Sequence, residues 1–394
     1  MARAAKRPHQ TAGASDQPSS PFPLASAAVM GDAAIRDWGG LPDLPLSEVM
    51  RRLLPCLRSL YAFAATCRPW RRLLRASAAD LLRPGLPPLL LDAACRQIVP
   101  FSPQVLPRPL PYRELPAEAT ALLSTSRGHL LLRRGHLLAI VDAVTGAERG
   151  ALPLPSPHFA YHYAALSPSH ILLFHSRHAF FALPLPGPGP NAGSDWTKHS
   201  LPRAASFVTM VIEFRGRVLG LTDRAQLLEF HLGATPPSQT VQMLPAAGLP
   251  DPTMFERWHF GARLVAAGDQ LLLVLFLLRP KSGSLTLARR RVHRLAVYGL
   301  DMARMRWEEV MNIGPYSLFV DCAGRSTAAC VDVGSCGVEE NRVYVAAPGC
   351  RTWKAFPPWW EGSHASAGYG LFTSRAMERP TWPSQIWIYP QLLF

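Results

Sequence analysis

The chain has 394 residues, 48% hydrophobic and 17% charged, with 39 prolines and a formal net charge of +14. This length allows two or three domains with a sizeable core, and so many prolines exclude a fold made mainly of long helices. The positive balance suits acidic partners, but the arginines are scattered rather than gathered on one face among aromatics, which argues against a dedicated nucleic-acid binder.

Residues 1–37 are small, polar and proline-rich, with no repeating apolar face, and are expected to form a disordered basic arm. The opening MARAAKRPHQ has no acid before Asp16 and reads as a solvated tail rather than a targeting address. Helical character begins after Leu41-Pro42, with Asp43 as the expected N-cap and Pro45 in the first turn, where its missing N–H costs little. Helices are predicted over 47–54, over 58–66 beyond Pro55, and from 68 to about 82, ended by Pro84-Gly85-Leu86-Pro87-Pro88. Val49, Met50, Leu53, Leu54, Leu57, Leu60, Phe63, Ala64, Cys67 and Trp70 fall at steps of three, four and seven, on one broad apolar stripe within 38–75. A segment of about 40 residues buries too little apolar surface to be stable alone. The rest of the chain offers no matching helices, so the stripe is expected to meet an external partner.

From Leu89 the pattern changes to short apolar runs between turn residues. Strands are predicted at 89–91, 129–132, 137–141, 171–174, 179–183, 208–214, 218–222, 227–230, 264–265, 271–278, 292–298, 307–310, 326–331, 342–345 and 386–389. The run over 271–278 is the longest apolar one and far short of the roughly 20 residues a membrane helix needs, so it reads as a buried strand. Turn openings at Gly128, Ser169, Gly216 and Gly268 recur at roughly 40 to 55 residues, with a further one at Asn341, a spacing that suits four-stranded propeller blades, six or seven in all. The alternative is one irregular β-sandwich or barrel pair.

Little of this carries local chemistry. Cys322, Cys330, Cys336 and Cys350 with His364 lack the two close ligand pairs of a structural zinc site and read as small buried groups. Seven cysteines without a CxxC are expected to be reduced thiols, in the cytoplasm or nucleus. His158, His162, His170, His175 and His178 have no acid between Glu148 and Asp195 to orient them, and read as loop and strand-edge histidines. The prolines of Gly187-Pro188-Gly189-Pro190 remove the N–H donors a phosphate loop requires. Arg289-Arg290-Arg291 reads as a charged strand edge. No catalytic residue, metal or cofactor is expected, and the chain does not read as an enzyme.

Leu41-Pro42, Leu46, Glu48-Val49, Arg52-Leu53, Leu60, Phe63, Cys67-Arg68 and Trp70-Arg71 together resemble an F-box: a Leu-Pro opening, an apolar helix, a Leu-x-x-Phe step, then Cys-Arg-x-Trp-Arg. Pro45, where F-box sequences commonly carry an apolar residue such as Leu, and one extra residue in 51–54 depart from that pattern. The region behind it resembles plant F-box proteins with a poorly characterised β-propeller-like C-terminal half. The matching segments are 126–129, 141–146, 214–217, Val297-Tyr298 with Leu300, 316–321 and 341–344.

The resemblance implies an α+β multidomain chain, with a small all-α F-box of three helices over 38–83 and an all-β domain over 89–394, a six- or seven-bladed propeller. It also implies a substrate-recognition subunit of a Skp-cullin-F-box type E3 ubiquitin ligase. Leu41, Pro42, Leu46, Val49, Leu53, Leu57, Leu60, Phe63, Cys67, Trp70 and Arg71 would dock on the Skp-type adaptor, and the β-domain would hold an unidentified target protein. Seven arginines against Asp43 and Glu48 within 38–75 would form a basic rim for an acidic adaptor. No membrane or cofactor enters this reading. The alternative is a basic module that binds nucleic acid or an acidic protein without any link to ubiquitination.

Overall fold

A computed structural model describes residues 41–54, 56–93, 95–103, 105, 108, 110–111, 120–185, 195–233, 240–255, 261–278, 292–321, 324–330, 336–346, 353–361 and 385–389. The basic arm, the 187–190 loop, Arg289 to Arg291, Cys322, Cys350 and His364 lie outside these residues.

Three helices come first: α1 (Asp43–Leu53), α2 (Leu57–Thr66) and α3 (Arg68–Gly85). Asp43 is not the N-cap. Pro42 holds that position, and Asp43 already lies in the first turn without a capping bond, where its negative charge favours the helix dipole. Pro45 is the third helical residue, so its absent N–H is one that no preceding turn could have bonded. Helix α1 therefore starts four residues before the sequence pattern places it. Leu54 ends it in an extended conformation (φ −64°, ψ 142°), as the residue before a proline prefers.

Leu46 and Met50 of α1, Leu57, Leu60, Phe63 and Ala64 of α2, and Leu74 of α3 are buried. Phe63 stacks on Trp70 with ring centroids 4.5 Å apart. Leu57 enters a core cluster shared with Leu89, Leu130, Ala143 and Trp387, against which Leu54 and Tyr61 also pack. Its backbone N–H donates to the Val105 carbonyl at 3.1 Å. Most of the apolar stripe is thus consumed by helix–helix packing and by the β-domain beneath, and the expectation that the whole of it awaits an external partner is corrected.

The β-domain opens with β1 (Leu89–Asp92), β2 (Gln97–Val99) and β3 (Leu110–Pro111). Three antiparallel four-stranded meanders follow in chain order. The first is β4 (Thr120–Ser126), β5 (His129–Arg134), β6 (Leu137–Asp142) and β7 (Glu148–Pro153). The second is β8 (Tyr163–Leu166), β9 (His170–Phe174), β10 (Ala179–Pro184) and β11 (Thr197–Ser200). The third is β12 (Val208–Phe214), β13 (Arg217–Thr222), β14 (Leu227–Phe230) and β15 (Val241–Leu244). A fifth blade has β16 (Arg263–Ala267), β17 (Gln270–Leu278), β18 (Val292–Asp301) and β19 (Arg306–Val310).

The next blade departs from the meander. Its strands β20 (Ser317–Asp321), β21 (Thr327–Cys330), β22 (Arg342–Ala346) and β23 (Trp353–Phe356) lie in the order β21-β20-β22-β23, with β20 and β22 parallel. After it β24 (Trp359–Glu361) pairs with β18, and β25 (Gln385–Ile388) returns to β1 in antiparallel register, Leu90 opposite Trp387. The closing sheet is β25-β1-β2-β3. The domain is a six-bladed propeller closed by pairing its last described strand with its first, which removes the free edge a linear array would leave. This replaces the sandwich or barrel alternative and fixes the blade number left open between six and seven.

Candidate interaction surfaces

The eleven residues assigned to adaptor docking divide by burial. Leu46, Leu57, Leu60 and Phe63 are buried inside the helices and against the propeller. Leu41, Leu53, Cys67, Trp70 and Arg71 are half-buried, and Pro42 and Val49 are exposed. The Arg71 guanidinium donates Nε to the Ala64 carbonyl at 3.2 Å, satisfying an orphan acceptor in the last turn of α2. What faces solvent is the start of α1: Pro42, Leu44 at 85% exposure, Pro45 and Val49 at 41%. Leu44 was not among the predicted docking residues. The signal that could have found it is its place beside Pro45 on the side of α1 away from Leu46 and Met50.

The charge around this face is less than the count of arginines suggests. Glu48 is shared by Arg51 and by Arg52, whose Nε lies 2.8 Å from its carboxylate. With Arg71 turned inward, Arg58, Arg68 and Arg72 are exposed cations on α2 and α3 among the described residues. The Cys56 thiol, at the start of α2, is held below its ordinary value by a hydrogen bond with the Ser59 side chain.

On the propeller, polar side chains of the first strands tie neighbouring blades. Ser124 donates to the Ala164 carbonyl, and Ser126 Oγ donates to the Leu166 carbonyl at 3.2 Å. The Val211 N–H donates to Tyr163 Oη at 2.9 Å, and Thr327 Oγ1 donates to the Leu264 carbonyl at 2.9 Å. Arg325, between β20 and β21, reaches the Leu123 carbonyl at 2.6 Å and the His162 carbonyl at 2.8 Å. Trp387 of the closing strand donates Nε1 to the Val320 carbonyl at 2.9 Å, and its backbone N–H donates to Ser326 Oγ at 3.1 Å. These bonds tie neighbouring blades to one another.

Cys330 and Cys336 sit together in the apolar core, and burial pushes the Cys330 thiol up to about 12. Among the described residues no three His, Cys, Asp or Glu side chains are grouped to hold a metal ion. His158 and His178 are exposed on loops, while His162, His170 and His175 lie half-buried beside β8, β9 and β10. A shallow surface hollow of about 640 Å³ lies beside β19, between Gly248, Tyr298, Arg304 and Glu308.

A family model, the KIB1-4 beta-propeller, matches residues 101–372. The chain belongs to this family. No curated protein matches the KIB1-4 chain described here. Among solved structures, the Cps50 (Swd1) beta-propeller domain of Myceliophteria thermophila aligns at 12% identity over 71% of this chain and 88% of its own, with a TM-score of 0.31. Kluyveromyces lactis Hsv2 aligns at 8% identity over 56% of this chain and 81% of its own, TM-score 0.30. Kuenenia stuttgartiensis hydrazine synthase aligns at 12% identity over 52% of this chain, TM-score 0.30, and the chain spans about half of that protein's length (54%).

Proposed function

We propose that this KIB1-4 propeller is the target-holding half of a substrate-recognition subunit in a Skp-cullin-F-box type ubiquitin ligase, with the three helices docking on the Skp-type adaptor. The observation that carries the reading is the first two turns of α1, where Leu44 and Val49 stand in solvent while Leu46 and Met50 between them hold the helix on the rest of the chain. Pro42, Leu44, Pro45 and Val49 leave neighbouring apolar side chains open on a firmly packed helix, which suits a docking surface. The F-box-like order of 41–71 supplies the identity of the partner. The chain makes no bond itself: it raises the concentration of a bound target near a ubiquitin-charged enzyme. Such a subunit works in the cytoplasm or nucleus.

Co-purification tests this. The full chain co-expressed with a Skp-type adaptor should retain it, and Leu44→Asp with Val49→Asp should lose it while keeping the thermal transition of the wild type. An adaptor left in the flow-through by the wild-type chain would sink the reading. Leu46→Ala is a poor probe, because its cavity of about 2–5 kcal/mol falls inside the helical packing.

A further inference from the structure

Leu57 and Tyr61 of α2 share a core cluster with Ala143 and Val144, which turn between β6 and β7, and Tyr61 lies close to Asp142. In a meander, the connections 154–162, 175–178, 201–207 and 223–226 therefore lie at the opposite end of the strands. At that end two groups of rings lie on neighbouring connections. Phe207 meets His162 edge-on at 5.6 Å, and Phe159 touches Tyr161 at 6.2 Å, stacks on His175 at 4.5 Å and lies 6.1 Å from Phe181. Phe159 and Phe207 are 37% and 38% exposed.

The loops carrying these rings are tied down. Ser206 N–H donates to Gln226 Oε1 and Gln226 Nε2 donates to the Ala204 carbonyl, each at 2.9 Å. Tyr161 Oη donates to the Ser156 carbonyl at 3.0 Å. The Arg133 guanidinium stands 6.0 Å from the Tyr161 ring, and Arg177, Arg203 and Arg224 are exposed on three of the four connections. The acid within them, Asp223, is 4% exposed. Among the described residues of these connections no carboxylate faces solvent.

We infer that this face holds the target, and that its occupant is an acidic peptide segment of a protein. Apolar side chains of that segment sit on Phe159 and on Phe207, and its Asp and Glu carboxylates pair with Arg177, Arg203 and Arg224. The inference rests on the reading of the propeller as the target-holding half. Charge complementarity selects an acidic occupant. An apolar centre with cations arriving from separate loops is the core-and-rim pattern of a protein interface, where a nucleic acid would call for a continuous basic groove along its backbone.

The test is a selection of random peptides displayed against the full chain without adaptor. Enriched sequences should place Asp and Glu around a Phe, Leu or Trp. A selected peptide should bind the wild type and Arg215→Glu, at a turn on the helix-side end, equally well. It should bind Phe159→Ala/Phe207→Ala and Arg177→Glu/Arg224→Glu at least about tenfold more weakly. No enrichment, enrichment of acid-free sequences, or undiminished binding by both variants overturns the inference. So does mixed-sequence single-stranded RNA that binds at physiological salt, is lost in the arginine variant and resists competition by every selected peptide. Because no adaptor is present, failure of adaptor co-purification leaves this result standing, and failure here leaves adaptor docking standing.

Discussion

Single residues decide whether the ring stays shut. Trp387 is 1% exposed and packs edge-on against Phe319 while its indole N–H holds the Val320 carbonyl. Trp387→Phe keeps most of the ring area but strands a buried acceptor, and should cost about 1–3 kcal/mol in a denaturant titration. Histidines give the molecule a pH dependence of defined sign. Burial holds His129, His170, His175 and His199 below the ordinary 6.5 in the folded state. The unfolded chain then takes up more protons as the pH falls below 6.5, so stability is level above that value and declines below it. Melting temperatures across that range should show the decline, and His129→Gln should make it shallower. Arg71 teaches a different lesson at this scale: counted in the sequence as part of a basic rim, it is spent on the end of α2.

At the scale of elements, legibility followed burial. Strands with continuous apolar runs, such as β17 and β9, are plain in the sequence because both of their faces are covered. Outer strands such as β7 (ERGALP) and β11 (TKHS) are mostly exposed, carry no apolar run, and were not predicted. Strand β4 was missed for another reason: its Ser124 and Ser126 look like loop residues, yet they face the next blade and bond to its carbonyls. The turn residues were read better than the strands. Gly128, Gly216 and Gly268 each sit at the hairpin between the first and second strands of a blade, so the repeat has the right period with its phase shifted by one strand. Arg215-Gly216 shows why the signal is strong: both have positive φ, 50° and 74°, as a two-residue hairpin turn demands. The closing strand is legible at 386–389, but its pairing is not, because its partner β1 is the first strand of the domain. Removing residues 385–394 leaves β1 with an open inner edge, and should lower and broaden the thermal transition; an unchanged transition would show that β25 does not close the ring.

On the scale of the whole molecule, the two proposed docking surfaces lie at opposite ends of the propeller strands. At one end α2 packs on the turn at Ala143 and Val144, with the start of α1 exposed nearby in sequence; at the other Phe159 and Phe207 are exposed among arginines. The fold class was legible from the proline-rich succession of short strands and the turn period. The division of the helical stripe was not, because amphipathic spacing gives the width of an apolar face but not how much of it the chain itself covers. Leu57 lies on the same stripe as Val49, yet one is in the propeller core and the other in solvent. The most direct test of the account is hydrogen exchange of the full chain with and without a Skp-type adaptor. Adaptor docking on α1 should give new protection over 42–53 with exchange in β8 to β14 unchanged. Protection confined to the propeller strands, or none anywhere at saturating adaptor, would contradict it.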